Sequence, residues 1–432
     1  MHQSNGKRRS LRFFALACLG TLSIGCSGAG SSDAVGTGGA AGVGGAGGVP
    51  APKTCSVSED GPGPDGELNL DVEVVAQGLE VPWALAFLPN GGILVTERPG
   101  RLRLIREGEV LPAPVLEVDV AEVEVFLGFE GGLLGIALHP AFEENRLFYL
   151  YFTATKADDS VVNRIVRYAL SEDGSSAAVD RVILDDIPAG GHHQGGRLRI
   201  GPDGLLYAGA GAWEPWHSQD MSILAGKLLR MNLDGSIPTD NPDPESLVFI
   251  SGIRNTQGFD WFDDEHLLLM DHGPSGLELD MPNLTGLDEF NVAKAGDNLG
   301  WATIWGCSES EGMVSPVLTW AKAVPPSSGT IYTGTAIPEW TGSFMVTTLG
   351  SKAFADGQHL HRIQVAADNP YVVEAHQVYL REVYGRLRAA TMGPDGHLYM
   401  TTSNCEGRGD PDGCPEEGDS VLRIVGTNGT RE

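Results

Sequence analysis

The sequence predicts an all-β fold, a six-bladed β-propeller of antiparallel four-stranded sheets. Three observations carry this prediction. Short runs with period-2 apolar alternation recur along the chain, and several of them end in Pro-Asp-Gly or Pro-Asn-Gly turns. Glycine is abundant, at 59 of 432 residues, about twice its usual share of roughly 7%. Alternating runs joined by tight turns are antiparallel hairpins, and several such units at a spacing of tens of residues mark a propeller or a solenoid.

The units follow in order. The first runs from Trp83 into the turn Pro89-Asn90-Gly91, then through 93–97 and 101–105. The second takes Leu134 to Pro140, then 147–152 and 164–168. The third takes Arg197 to the turn Pro202-Asp203-Gly204, then 205–208 and 227–231. A fourth spans 258–262, 267–270 and 288–292, and a fifth has 342–347 with 360–363. The sixth takes Leu387 to Pro394-Asp395-Gly396, then 397–401 and 420–424. Six units over the body of the chain favour a propeller with six blades. Their irregular spacing places long loops between strands, where sites usually lie.

Ahead of the repeats stand two segments of a different kind. Residues 1–26 carry a basic start (Lys7, Arg8, Arg9, Arg12), then a short apolar stretch from Phe13 to Ile24, shorter than a membrane span requires. The stretch ends in Leu22-Ser23-Ile24-Gly25-Cys26, which resembles a lipoprotein cleavage site and makes Cys26 the expected lipidated residue. Residues 27–53 are dominated by Gly, Ala, Ser, Val and Thr, with ten glycines in 27–52. That composition cannot bury a core, so it reads as a flexible tether. The expected organisation is a signal over 1–26, a tether over 27–53 and a propeller domain over 54–432. The expected location is the bacterial cell envelope, with membrane contact through the lipid anchor alone.

Cysteine usage agrees with export. Beyond Cys18 and Cys26, four cysteines remain: Cys55, Cys307, Cys405 and Cys414. An even number in an exported chain suggests disulfides, with three connectivities open. The short polar loop between Cys405 and Cys414 makes a local bridge the first choice, leaving Cys55 with Cys307. Free buried thiols are the alternative.

The charge balance narrows the function. With 29 Lys and Arg against 57 Asp and Glu, the formal charge is −28. Nucleic-acid binding is excluded as a general role, because phosphate contacts need basic patches. Against this acidic background three loops stand out. Gly191-His192-His193-Gln194-Gly195-Gly196-Arg197 offers a histidine base suited to neutral pH. The second is Gly252 to Gly258 with Asp271-His272-Gly273-Pro274, and the third is Arg386-Leu387-Arg388. Arg254, Arg386 and Arg388, with Lys352, form a cationic set that calls for a polyanionic ligand.

Taken together, these motifs resemble the soluble pyrroloquinoline-quinone (PQQ) dependent sugar dehydrogenases, the glucose/sorbosone dehydrogenase family. The resemblance runs from about residue 70 to 427 and rests on 132–140, 193–198, 252–258, 272–274, 288–291, 296–301 and 386–388. It implies a six-bladed propeller that oxidises the C1 hydroxyl of an aldose-type sugar to a lactone, passing hydride to PQQ. It implies His193 as general base, with Arg254 beside it. Glu130, Arg254, Asn255, His272, Lys352, Arg386 and Arg388 would bind the cofactor. The carbonyls of Gly273 and Pro274 would hold a Ca²⁺, and Glu289 with the carbonyl of Leu299 match a second Ca²⁺ position. The sugar and the electron acceptor are left open.

The chain departs from the family pattern at Ala208-Gly-Ala-Gly-Ala-Trp213, where an acidic residue that would orient the base is missing. Glu214 is a candidate substitute. Trp213 and Trp216 follow and could stack on a sugar. Two other functions fit the same fold: a non-catalytic surface-tethered binding module, and a Ca²⁺-dependent lactonase-type hydrolase.

Overall fold

The structure is a computed structural model that describes residues 55–124, 128–275, 285–350, 357–406 and 414–430. The chain divides into two units, Met1–Ala51 and Pro52–Glu432. The signal, the tether and Cys26 lie outside the described residues.

The second unit is a ring of six small sheets, each beginning at the centre and ending at the rim. The innermost strands are Pro82–Phe87, Leu133–Leu138, Leu198–Ile200, Gly258–Trp261, Pro326–Ile331 and Leu387–Met392. Contacts between successive inner strands close the ring, with Leu387–Met392 meeting Pro82–Phe87. In every blade the first three strands run antiparallel in sequence order. The propeller is therefore as expected, and five of the six repeats fall on its inner, second and third strands. The fifth lies one strand further out than expected: 342–347 falls on that blade's second strand, and its inner strand is Pro326–Ile331.

The period-2 pattern becomes burial on both faces near the axis. Ile93–Glu97 and Phe344–Thr348 are buried at every position. Polar residues inside such strands need partners, and they find them in neighbouring blades. Thr96 Oγ1 donates to the carbonyl of Leu134 at 2.6 Å, Thr347 Oγ1 to Arg388 at 2.9 Å and Thr401 Oγ1 to Pro82 at 2.8 Å. Each runs from a second strand to the next blade's inner strand. Tyr151 repeats the move, its hydroxyl donating to the carbonyl of Gln194 at 2.8 Å. Hydroxyls thus register one blade against the next where side-chain volume alone would allow sliding.

The last blade takes its outer strand from the opposite end of the chain. Leu68–Leu79 pairs antiparallel with Asp419–Thr430 and closes the circle. Ahead of it, Ser56–Ser58 adds a fifth, parallel strand to the fourth blade, against Leu318–Trp320. The first blade departs from four plain strands as well: Glu109–Val110 and Leu116–Glu117 share the rim of Arg101–Arg106. Both disulfides of the first-choice connectivity are formed. Cys55 bonds Cys307 across 252 positions and Cys405 bonds Cys414 across nine. Among the described residues no helix is long and apolar enough to cross a membrane.

The Cys55–Cys307 bond pins the segment that leads into the closing strand. Replacing both cysteines by serine is expected to lower unfolding free energy by about 2–4 kcal/mol, read as a lower urea midpoint with a steeper slope, because the freed unfolded chain exposes more surface.

Candidate active site

Strand direction decides where the chemistry gathers. In a hairpin the start of the first strand and the end of the second lie at the same end. Glu130, His193, Arg254, Asn255, Gln257 and Arg386 sit just ahead of inner strands. Arg98, Ala212, His272 and Glu406 follow second strands. All ten therefore lie at one end of the ring, opposite the Pro-Asp-Gly turns.

His193 occupies the left-handed region, with φ of 60°. Its backbone N–H donates to Glu130 Oε2 at 2.7 Å, which holds this unusual turn in place. Ring atom Nδ1 lies 3.1 Å from the carbonyl oxygen of Ala212. A carbonyl only accepts, so Nδ1 carries the proton and Nε2 presents its lone pair. Nε2 has no hydrogen bond among the described residues. Burial, reinforced by Arg254, lowers the pKa of His193 to about 3, against an opposing pull from Glu130. The missing acidic orienter is thus replaced by a main-chain carbonyl. Glu214 does not fill that role: it precedes the turn Pro215–Ser218, and its charge acts on His217. Gly211 allows the fit, since a Cβ there would sit 2.2 Å from the carbonyl oxygen of His193 and 2.7 Å from Asn255 Oδ1.

Asp271, not singled out in the sequence, ties this corner together. Its Oδ2 accepts the Arg254 N–H at 2.8 Å, and its Oδ1 accepts from Asn255 at 2.7 Å and His272 at 3.1 Å. Asn255 Oδ1 in turn accepts the Gly195 N–H at 2.9 Å, so its Nδ2 is the atom left for a ligand. Arg254 is 2% exposed, lies over the Trp301 ring at 5.3 Å and donates to Ser275 Oγ at 3.0 Å.

Beyond His272, the N–H of Gly273 donates to Asp288 Oδ1 at 3.0 Å. Among the described residues the carbonyls of Gly273, Pro274 and Leu299 accept no hydrogen bond. Buried carbonyls normally have partners, so these are oxygens open to a hard cation. Glu289 lies opposite Asp271 in the strand pairing, its Oε1 accepting the Gly306 N–H at 2.8 Å and its Oε2 facing Asn291 Nδ2 at 3.3 Å. Burial and the neighbouring Asp271 push its pKa up to about 8.

Arg386 and Arg388 meet a residue the sequence reading left out. Arg98, Arg386 and Arg388 converge on the carboxylate of Glu406, with Arg386 Nη2 at 2.8 Å and Arg388 Nη2 at 2.9 Å. Burial opposes its ionisation, yet the three guanidinium groups hold its pKa well below the ordinary carboxylate range. The cationic set is therefore not wholly unpaired, but three positive charges against one leave a surplus. Arg388 Nη1 also donates to Gln257 Oε1 at 3.1 Å, joining this group to the loop that carries Arg254. Lys352 lies outside the described residues. Trp213 and Trp216 are exposed, with Trp213 packed over Gly190.

Comparison with known proteins supplies the family. Residues 79–409 match the model of the glucose/sorbosone dehydrogenases. The chain belongs to the glucose/sorbosone dehydrogenase family. It is 31% identical over 365 residues to the aldose sugar dehydrogenase YliI of Escherichia coli, covering 78% of this chain and 91% of that protein. It is 28% identical over 274 residues to quinoprotein glucose dehydrogenase B of Acinetobacter calcoaceticus, covering 56% of this chain and 55% of that protein. Among solved structures, the PQQ-bound aldose sugar dehydrogenase of Streptomyces coelicolor is 33% identical, with a TM-score of 0.69 over 82% of this chain and 98% of that one. Membership of the glucose/sorbosone dehydrogenases makes the chain an oxidoreductase by family.

Within this member of the glucose/sorbosone dehydrogenase family, Glu406 is, among the described residues, the one carboxylate that pairs with Arg98, Arg386 and Arg388. Glu406→Gln is expected to cost about 3–5 kcal/mol of stability, measured by urea unfolding.

Proposed function

We propose that this chain is a PQQ-dependent dehydrogenase that oxidises the C1 hydroxyl of an aldose-type sugar to the lactone with the help of Ca²⁺. The observation that carries this reading is the fixed tautomer of His193. Its Nδ1 is committed to the Ala212 carbonyl, leaving Nε2 to accept a proton beside a cationic recess. Arg254, Arg386 and Arg388, with Lys352, would hold the cofactor's three carboxylates, Asn255 would donate through Nδ2, and His272 and Glu130 would flank the ring. The surplus of guanidinium over carboxylate around Glu406 fits a polyanion. When bound, PQQ supplies the two-electron acceptor that takes the C1 hydride.

The open carbonyls of Gly273 and Pro274 fit a Ca²⁺, which would supply a positive charge against the quinone oxygen. Glu289 and the carbonyl of Leu299 are the residues for a second ion. His193 Nε2 takes the hydroxyl proton as the C1–H bond breaks, so the lone pair left on oxygen becomes the lactone carbonyl. Glu130 and Ala212 keep the imidazole aimed during that transfer, and Trp213 and Trp216 offer faces on which a sugar ring can stack. Electrons then leave to an external carrier. The same reading places the protein outside the cytoplasm. Its two disulfides support export, and Cys26 would carry the lipid.

Titration with PQQ in the presence of Ca²⁺, followed by dye reduction on a panel of aldoses, tests the reading. Arg386→Ala is expected to weaken PQQ binding by about tenfold or more. His193→Ala is expected to leave that binding intact while lowering kcat by about 10²–10⁴. Tight binding without turnover on any aldose would leave a cofactor-binding module instead. Failure to bind PQQ, with lactone hydrolysis in its absence, would make the chain a hydrolase.

The pH profile gives a second check. A base whose pKa is lowered is in its working neutral form above that pKa and is lost only as pH falls through it. With His193 lowered to about 3, kcat/KM should show no acid limb near the ordinary histidine value of about 6.5. Ala212→Asp would place a carboxylate near the ring and is expected to move that limb up toward neutrality.

A further inference from the structure

Toward the end of the ring away from the proposed active site, the inner strands of the first, second, third and sixth blades line an open cavity of about 470 Å³. Most of the lining side chains are apolar, Phe87, Ile136 and Ala389 among them, yet polar atoms make up about half of the exposed wall, and Arg197 and Arg199 line it too. The charges around this cavity are unevenly paired. Arg388 pairs with Glu406 at 2.9 Å and Arg199 with Asp260 at 2.9 Å. Arg197, only 7% exposed, pairs with no carboxylate among the described residues. It donates from Nε to the carbonyl of Gln257 at 2.8 Å and from Nη2 to the carbonyl of Ser327 at 3.1 Å. Its guanidinium lies 4.4 Å from the Trp83 ring centre.

Carbonyls and an aromatic face solvate a cation without neutralising it. Burial, with Arg199 and Arg388 nearby, pushes the pKa of Arg197 down to about 9, and no acid opposes the shift. A buried guanidinium without a counter-charge is costly, and it is unexpected in a chain whose net charge is −28. The cavity beside it has room for several water-sized groups. Its mostly apolar side chains suit an ion that sheds water readily, and one uncompensated positive charge calls for one negative charge.

We propose that the cavity at Arg197 is an anion site that binds one small, weakly hydrated monovalent anion, chloride or bromide in kind. The site is separate from the proposed cofactor recess and does not depend on the dehydrogenase reading. Sulfate or phosphate would overcompensate the single charge. The ion serves as counter-charge to Arg197 and relieves its repulsion with Arg388, whose guanidinium lies 6.0 Å from the centre of the same Trp83 ring.

The test uses the full chain in sodium bromide against sodium fluoride at matched ionic strength, because fluoride holds its water tightly. Bromide is expected to raise the thermal midpoint saturably, by about 2 °C or more, and to give an anomalous diffraction peak in contact with the Arg197 guanidinium. Arg197→Met keeps the volume and removes the charge, and it is expected to abolish the bromide-dependent rise. An equal rise in Arg197→Met would overturn the proposal. Absence of bromide from the cavity in crystals of the unaltered chain would do the same, and that second measurement decides the matter even if the variant fails to fold.

Discussion

The active-site end of this propeller hangs on one buried carboxylate. Asp271, 2% exposed, ends the second strand of the fourth blade and accepts three backbone N–H groups, from Arg254, Asn255 and His272. Those bonds fix the loop bearing Arg254. That loop in turn fixes the third blade, since the Ala212 N–H donates to the Arg254 carbonyl at 2.7 Å and Asn255 Oδ1 receives the Gly195 N–H. The carbonyl of Ala212 then sets the tautomer of His193. His193 and the loop of Arg254 and Asn255 are thus aligned through main-chain atoms from a single acid. Burial is so severe that three donors and Arg254 do not overcome it, and the Asp271 pKa rises to about 7.

The fold was legible wherever local pattern determines it. Period-2 runs and Pro-Asp-Gly turns give hairpins whatever lies elsewhere in the chain, and they marked the inner, second and third strands of five blades. Pro326–Ile331 escaped because its sequence is Pro-Ser-Ser-Gly-Thr-Ile. Its hydroxyls serve neighbouring blades, Ser327 Oγ donating to the Leu387 carbonyl at 2.7 Å, so the alternation that signals a strand is absent. The closing strand Leu68–Leu79 escaped for another reason. Its partner Asp419–Thr430 lies at the far end of the chain, and no local pattern encodes so distant a pairing.

The site divides in the same way. His193, Arg254, Asn255, His272, Arg386 and Arg388 stood out because histidine and arginine in glycine-rich loops are conspicuous in an acidic chain. Asp271 and Glu406 did not, because 57 acidic residues hide two. Only three-dimensional closure shows that Glu406 faces three guanidinium groups and Asp271 three amides. Ala212 could not be found from side-chain chemistry, since its contribution is a carbonyl. Among the described residues no carboxylate orients the His193 ring; the backbone meets the same hydrogen-bonding need. A carbonyl carries no full charge, so it fixes the tautomer of His193 without stabilising the protonated ring.

The electrostatic contrast between surface and centre follows from these pieces. Acidic residues line the rim, where water screens them and where pairs such as Lys156 with Asp186 contribute little. Near the axis the balance is inverted, with Arg98, Arg197, Arg386 and Arg388 largely enclosed and Glu406 as their principal internal acid. Solvent screening cannot reach these charges, so each must be offset by a group at contact distance. Glu406 offsets part of the upper cluster and leaves a surplus suited to a polyanion. Asp260 offsets Arg199 toward the other end of the ring. Arg197 stands between them with carbonyls and an indole face alone, which makes it the point at which this cationic column is least complete.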